Sequence, residues 1–248
     1  MVKKSQQQLK SIRYMEKNIN MDGDPQKEVY GYPPMWDSGY AKYWLKDLAD
    51  KKNLIDYYYF KQVFAKEDLK HIHELAQSFP LVEPQLGDIS ESGPHGGKAY
   101  LDPVQRISKA RWIEKNEQTQ WLYNDLSEMI YEANKVMWQF DIWGVFDSGI
   151  QYTIYDEVGA HYDWHADIGV GRSAMRKISM TLLLNEPDVD FEGGDLEFML
   201  GNEVTTIDRS IGGNCCILFP SYFLHRVTPV TAGVRKSLVF WCTGPPWR

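Results

Sequence analysis

The residue pattern predicts an α+β fold, helices first and a helix-flanked jelly roll after them. Three observations point there. Two stretches in the first half repeat apolar residues at helical spacing. The second half breaks into short runs rich in β-branched and aromatic residues, separated by Gly, Pro, Asn and Asp clusters, which is the cadence of an antiparallel sandwich or barrel. With 248 residues, 43% of them hydrophobic and 25% charged, the chain can bury one large core. One domain over 51–248 is expected, preceded by an extension over 1–50.

Residues 1–50 are polar, then rich in Pro, Gly and aromatics (GYPPMWDSGY), and they read as a segment packing on the core with a short helix near 38–50. FAKEDLKHIHELAQSF places Leu69, Ile72, Leu75, Ala76 and Phe79 on one helical face, with acidic residues in the first turn. His71 and His73 lie two apart, on different sides of that helix, so a shared metal is not expected. From Pro80 to Pro103, EPQLGD, ESGPHGGK and LDP break regular structure. A connector of that length is a candidate lid, and His95 reads as a solvated loop residue. QTQWLYNDLSEMIYEANKVMW then repeats Leu122, Leu126, Ile130, Ala133 and Met137 as a second long helix. IQYTIY, HYDWHAD, KISMTLLL, GDLEFML, EVTTI, NCCILF and RKSLVFWC follow as strands.

Composition excludes some classes. The 27 basic and 34 acidic residues give a net charge of −7, against a broad polyanion-binding surface and so against a nucleic-acid partner. Of three cysteines, Cys215 and Cys216 are adjacent in an apolar run, which reads as reduced core thiols. MVKKSQQQLKSIRYMEKN has positive charge without an apolar core, and no run reaches the ~18 apolar residues of a membrane helix. A soluble, cytoplasmic protein without a membrane partner is the expectation.

HYDWHAD contains His161/Asp163, His165/Asp167 and a His-x-x-x-His. As a strand it would project His161, Asp163, His165 and Asp167 to one face, and Tyr162, Trp164 and Ala166 to the other. As a helix it would imitate a zinc protease, but Tyr162 stands in place of the general-base Glu and Gly159 disfavours the helix. A His-x-Asp pair needs a third ligand, and His225 is the remaining histidine of the strand-rich half. Two imidazoles and one carboxylate suit the facial triad of non-haem Fe(II) oxygenases. Arg235 and Ser237, two apart on one strand face, suit a carboxylate, because an unpaired Arg in this apolar strand would be costly.

The ordered set YDEVGAHYDWHAD, KISMTLLLN, FEGGDLEF and ILFPSYFLHRVTPVTAGVRKSLVFW resembles the Fe(II)/2-oxoglutarate-dependent dioxygenases, in their prolyl 4-hydroxylase-like branch. It covers roughly 104–248, and the helix near 66–79 also fits. The resemblance implies a double-stranded β-helix, a cupin-like jelly roll, over that range. It matches the family's Tyr-x-x-His-x-Asp to Tyr162, His165 and Asp167, and so implies His165, Asp167 and His225 as iron ligands. Arg235 with Ser237 would grip the distal carboxylate of 2-oxoglutarate, with Tyr155 facing cosubstrate or substrate. His161, Asp163 and Trp241 become candidates for supporting the ligands or lining the mouth of the pocket.

By the same resemblance, Fe(II), 2-oxoglutarate and O2 hydroxylate an unactivated C–H with release of succinate and CO2, and ascorbate stimulates the reaction. A prolyl residue of a peptide or protein is the leading substrate; a free amino acid or other small metabolite is second, and a non-catalytic binding module on the same fold third. Where many collagen-type relatives use Lys, this chain has Arg235, which points to a bacterial-type subgroup. Leu183 stands where some peptide-oxygen-sensing relatives have Tyr. Trp241 stands where nucleobase demethylases place a second Arg, and Asp167 is retained where halogenases lose it.

Overall fold

The computed structural model describes residues 57–86, 100–144, 149–169 and 171–247. The extension over 1–50 with its helix at 38–50, and His95 with the middle of the 80–103 loop, lie outside the described residues.

Among the described residues, thirteen strands and two α-helices make up the fold. They are β1 (Tyr58–Lys61), α1 (Lys66–Gln77), β2 (Arg106–Ile107), β3 (Lys109–Ile113), α2 (Gln120–Val136), β4 (Ile150–Tyr155), β5 (His161–His165) and β6 (Arg176–Leu183). After them come β7 (Phe191–Gly193), β8 (Leu196–Leu200), β9 (Glu203–Thr206), β10 (Cys215–Pro220), β11 (Leu224–Val227), β12 (Val230–Gly233) and β13 (Arg235–Thr243). A major sheet in the order β1-β10-β6-β13-β4-β3 faces a minor sheet in the order β2-β5-β11-β8-β9, and β12 pairs β7. Every pairing between named strands is antiparallel. This is the expected jelly roll. One boundary moves: β1 joins the edge of the major sheet through β10 from outside the expected 104–248 range.

The helices cover the outer face of the major sheet. Ile72, Leu75 and Ala76 of α1, and Leu122, Leu126, Ile130 and Ala133 of α2, pack with Ile178, Met180, Leu182, Leu218, Leu238 and Phe240. Periodicity predicted both faces because a helix on a sheet buries one stripe. His71 stacks on Trp121, with ring centroids 5.4 Å apart, while His73 Nδ1 lies 2.8 Å from the Tyr152 hydroxyl. Each histidine therefore packs against a different neighbour.

β10 reads as a continuous apolar run because both of its faces are buried. Cys216 and Leu218 join the helix side, whereas Cys215, Ile217 and Phe219 pack between the sheets with Leu196 and Phe198. Adjacent Cys215 and Cys216 thus point to opposite faces as free thiols. Burial pushes the Cys215 thiol up to about 12 and Cys216 well above its ordinary value. β4 and β13 alternate the same way, but their inner faces are polar: Gln151 and Tyr155, then Arg235, Ser237, Val239 and Trp241, line an internal cavity. No helix among the described residues is long and apolar enough to cross a membrane.

Candidate active site

The cavity measures about 1230 Å³ and opens between the two sheets. On its minor-sheet wall, His165 of β5 stands directly across the ladder from His225 of β11, and Asp167 follows two residues after His165. Their ligand atoms all lie within 4.8 Å of one another. Asp167 Oδ1 is 3.7 Å from His165 Nε2, and Oδ2 is 3.6 Å from His225 Nε2. Asp167 is fixed by its backbone, since the amides of Asp167 and Ile168 both donate to the Ser221 carbonyl at 3.0 Å.

The imidazoles are oriented for a cation. His165 Nδ1 lies 2.7 Å from the Asp163 carbonyl and His225 Nδ1 lies 3.0 Å from the Phe223 carbonyl. A carbonyl only accepts, so each Nδ1 carries the proton and each Nε2 turns a lone pair toward Asp167. Asp167 Oδ2 is buried without a hydrogen-bond donor among the described residues, a costly state unless a cation completes it. Burial, then the His225 ring beside it, holds His165 far below the usual imidazole range. Burial alone would raise Asp167, but His225, His165, Arg176 and a hydrogen bond from Ser179 outweigh it and keep the carboxylate ionised. Two neutral imidazoles and one carboxylate are the donor set that a divalent transition metal takes, and it fits Fe(II).

Arg235 lines the same cavity and is only 3% exposed. Its Nε donates to the Gly194 carbonyl at 2.9 Å and its Nη1 to Ser237 Oγ at 3.1 Å, while the guanidinium lies 5.3 Å from the Tyr155 ring centroid. No acidic side chain pairs with it among the described residues. Burial pulls its pKa down, and the charge is left to an anionic ligand. The Gly-Gly of FEGGDLEF serves this arginine. Gly194 sits at φ +64, and a Cβ there would stand 2.8 Å from Arg235 Cδ.

One expectation fails, for a defined reason. His161, Asp163, His165 and Asp167 do not share a face, because β5 carries a bulge: Val227 pairs Tyr162 and His225 pairs His165, so three steps on β5 oppose two on β11. Tyr162 therefore turns into the cavity beside His165, its ring stacked at 3.5 Å between centroids and 14° between planes. His161 and Asp163 are outside the cavity lining. The His161 ring spans the Gly159 and Val104 carbonyls at 2.8 and 2.9 Å, and Asp163 meets the site only through the carbonyl that orients His165. Trp241 does line the cavity, with a buried Nε1 that has no acceptor and the Arg176 guanidinium 4.0 Å over its ring.

Arg106 and Arg176 also line the cavity, and pattern reading passed over both. Arg106 sits on a two-residue strand, too short to give it a face, and Arg176 is the first residue of β6, directly after a 3-10 turn over Gly171–Met175, where strand alternation has only begun. Arg176 Nη1 donates to the Asp167 carbonyl at 3.2 Å.

Comparison with known proteins agrees with this geometry. Residues 150–243 match the family model described as the 2OG-Fe(II) oxygenase superfamily. A PKHD-type hydroxylase of Synechococcus sp. (strain CC9902) is 40% identical over 85 residues, 34% of this chain and 37% of that protein. One of Idiomarina loihiensis is 38% identical over 85 residues, again 34% of this chain and 37% of the relative. The chain thus aligns with little more than a third of the length of these relatives. Among solved structures, a prolyl hydroxylase from Trichoplax adhaerens, in complex with a hypoxia inducible factor oxygen degradation domain peptide fragment, has a TM-score of 0.60 at 18% identity. It covers 86% of this chain and 94% of its own. A Pseudomonas putida prolyl-4-hydroxylase has a TM-score of 0.54 at 18% identity, covering 81% and 97%.

Proposed function

We propose, from the match of residues 150–243 to the 2OG-Fe(II) oxygenase superfamily model, that the chain is an Fe(II)- and 2-oxoglutarate-dependent hydroxylase with His165, Asp167 and His225 as its metal ligands. One observation carries the reading. A buried carboxylate oxygen without a donor faces two imidazole lone pairs, in the same cavity as a buried guanidinium without an acidic partner. A divalent cation and a dicarboxylate answer both deficits at once.

In this reading Arg235 and Ser237 hold the distal carboxylate of 2-oxoglutarate, and Tyr155, paired with Arg235 across the ladder, walls that end of the cavity. Bound Fe(II), with 2-oxoglutarate and O2, supplies the oxidation that turns a C–H into C–OH and releases succinate and CO2. The protein fixes ligand geometry: the Asp163 and Phe223 carbonyls lock the imidazole tautomers, and Ser221 locks the Asp167 backbone. Trp112, Met180, Val239 and Trp241 give the chamber part of its apolar wall.

A prolyl residue of a peptide or protein is the leading substrate. Its support is the fold shared with a prolyl hydroxylase solved with a peptide, together with a chamber large enough for a side chain and flanking backbone. A free amino acid or small metabolite is the second reading, favoured by the additional guanidinium of Arg106 in the chamber. Ascorbate, which keeps iron reduced, should stimulate turnover. Purified chain with Fe(II), ascorbate and 2-oxoglutarate should release succinate, and proline-containing peptides should gain 16 mass units. Absence of both 2-oxoglutarate binding and succinate release would sink the proposal.

A further inference from the structure

The chamber holds more positive charge than the proposed cosubstrate uses. A divalent metal, Asp167, Arg235 and dianionic 2-oxoglutarate cancel, and beyond them Arg106 lines the chamber with no acidic partner among the described residues, the exposed Glu83 standing on the rim. The whole chain carries −7, so this is a local concentration of cations in an acidic protein.

Arg106 is firmly placed. Its backbone is set by a turn in which Arg106 N donates to the Asp102 carbonyl at 2.8 Å and the Asp102 carboxylate accepts from Val104 N at 3.0 Å. Its Nε donates to Ser108 Oγ at 2.7 Å. Its guanidinium lies 4.5 Å over the Tyr162 ring, which is itself stacked on His165. The side chain is thereby immobilised one aromatic layer from the metal ligands. Its two Nη groups have no hydrogen-bond partner among the described residues, and Arg106 lines the chamber, so the end-on fork of the guanidinium is available to a ligand there. Arg235 has the same construction, with Nε tied to the protein and further N–H groups left for a ligand. A planar fork held in this way matches a carboxylate with two charge-assisted hydrogen bonds.

We propose that Arg106 is the receptor for a carboxylate on the substrate, either the α-carboxylate of a free imino or amino acid or an acidic side chain next to the target residue of a peptide. The proposal rests on the oxygenase reading above and adds the charge that the substrate must carry. Holding its carboxylate at Arg106 fixes the substrate at one end, within the layer that also holds His165. The neighbouring C–H bonds then lie toward the metal ligands.

The test uses the full chain loaded with Mn(II) and 2-oxoglutarate, which fills the site without turnover, and reads quenching of the cavity tryptophans Trp112 and Trp241. Two acid and amide pairs serve as probes: L-proline with L-prolinamide, and N-acetyl-Ala-Pro-Glu-amide with N-acetyl-Ala-Pro-Gln-amide. In one pair the acid should bind about tenfold or more tighter than the amide, as expected for a charge-assisted pair. Arg106→Gln should erase that preference and Arg106→Lys should keep part of it. Which pair responds separates a free acid from an acidic peptide. Equal behaviour of acid and amide in both pairs, including no binding by any probe, overturns the proposal, as does a preference that survives Arg106→Gln. Loss of 2-oxoglutarate affinity in Arg106→Gln also overturns it, by placing this guanidinium on the cosubstrate. Failure of the unmodified chain to bind 2-oxoglutarate with metal sinks the oxygenase reading itself and is seen before any probe is added.

Discussion

Replacing Arg235 by Ala separates a ligand-binding cation from a structural one, because the two roles predict opposite signs in the ligand-free protein. The guanidinium is 3% exposed, so water screens it little, and its hydrogen bonds to Gly194 and Ser237 leave its charge uncompensated. Truncating one side of a buried, hydrogen-bonded charge pair costs about 2–5 kcal/mol of binding, which is roughly thirtyfold to a few thousandfold in Kd. Without cosubstrate the balance changes. Removing a buried, unpaired cation relieves a desolvation cost of several kcal/mol, against about 1–3 kcal/mol for each polar partner left unmet. The ligand-free melting temperature should therefore move little, or rise, while 2-oxoglutarate affinity collapses. Calorimetric titration of 2-oxoglutarate into the Mn(II)-loaded protein reads the first effect. Thermal melts with and without cosubstrate read the second, since a ligand that binds only the folded state raises the melting temperature. Arg235→Lys should fall between, keeping charge without the fork. Unchanged affinity in Arg235→Ala, with lowered ligand-free stability, would make this arginine structural and refute the reasoning.

Three further outcomes are expected. His165→Ala should abolish metal-dependent 2-oxoglutarate binding, whereas His161→Ala should spare it and lose about 1 kcal/mol of stability, the worth of an ordinary hydrogen bond; titrations of both variants decide, and the reverse pattern would exchange the two pairs. Gly194→Ala should weaken 2-oxoglutarate binding without touching a ligating group, because the new Cβ meets Arg235 Cδ at 2.8 Å and the left-handed backbone costs Ala about 1–2 kcal/mol; wild-type affinity in this variant counts against the cradle. Metal-free protein should lose stability on acidification, because the folded state holds His165 and Asp167 below their ordinary ranges. The unfolded chain takes up protons at His165 below about pH 6.5 and at Asp167 below about pH 3.9, so stability present at neutral pH is lost as pH falls, by up to about 1.4 kcal/mol per unit for each group. Urea midpoints at pH 7 and pH 5 measure this, and a midpoint that rises at pH 5 contradicts it.

How far the sequence could be read follows from how local each signal is. Leu122, Leu126, Ile130 and Ala133 repeat over about three turns of α2, and a period sustained that long has one structural answer. The strands found in sequence, such as β6 and β13, are eight and nine residues long with both faces buried or cavity-lining. β2, β7, β11 and β12 have two to four residues each, too few for alternation to show, and β1 hides in an aromatic run before α1. Of the residues that meet at the candidate site, Arg235 was legible because an unpaired cation is costly in an apolar strand, and His225 because it is the remaining histidine of the strand-rich half, whereas the choice of His165 and Asp167 over His161 and Asp163 came from the family resemblance. Arg106 was not legible, since its place depends on a turn at Asp102 and on a ring 56 positions away, and nothing in the local pattern marks either.

The bulge in β5 shows why a run such as HYDWHAD cannot settle its own register. Strict alternation would send two His-x-Asp pairs into the same cavity, four ligands where the geometry of the opposite strand offers one partner, His225. One extra residue between Tyr162 and His165 rotates His161 and Asp163 out of the lining and brings Tyr162 in. That single insertion does three things together. It removes a competing carboxylate from beside Asp167, frees the Asp163 carbonyl to fix the His165 tautomer, and supplies the ring on which Arg106 rests. Choice of the ligand pair is thus a main-chain property, set by the pairing of β5 with β11. A substitution that restored regular pairing would disturb the proposed metal ligands, cavity polarity and the Arg106 fork at once.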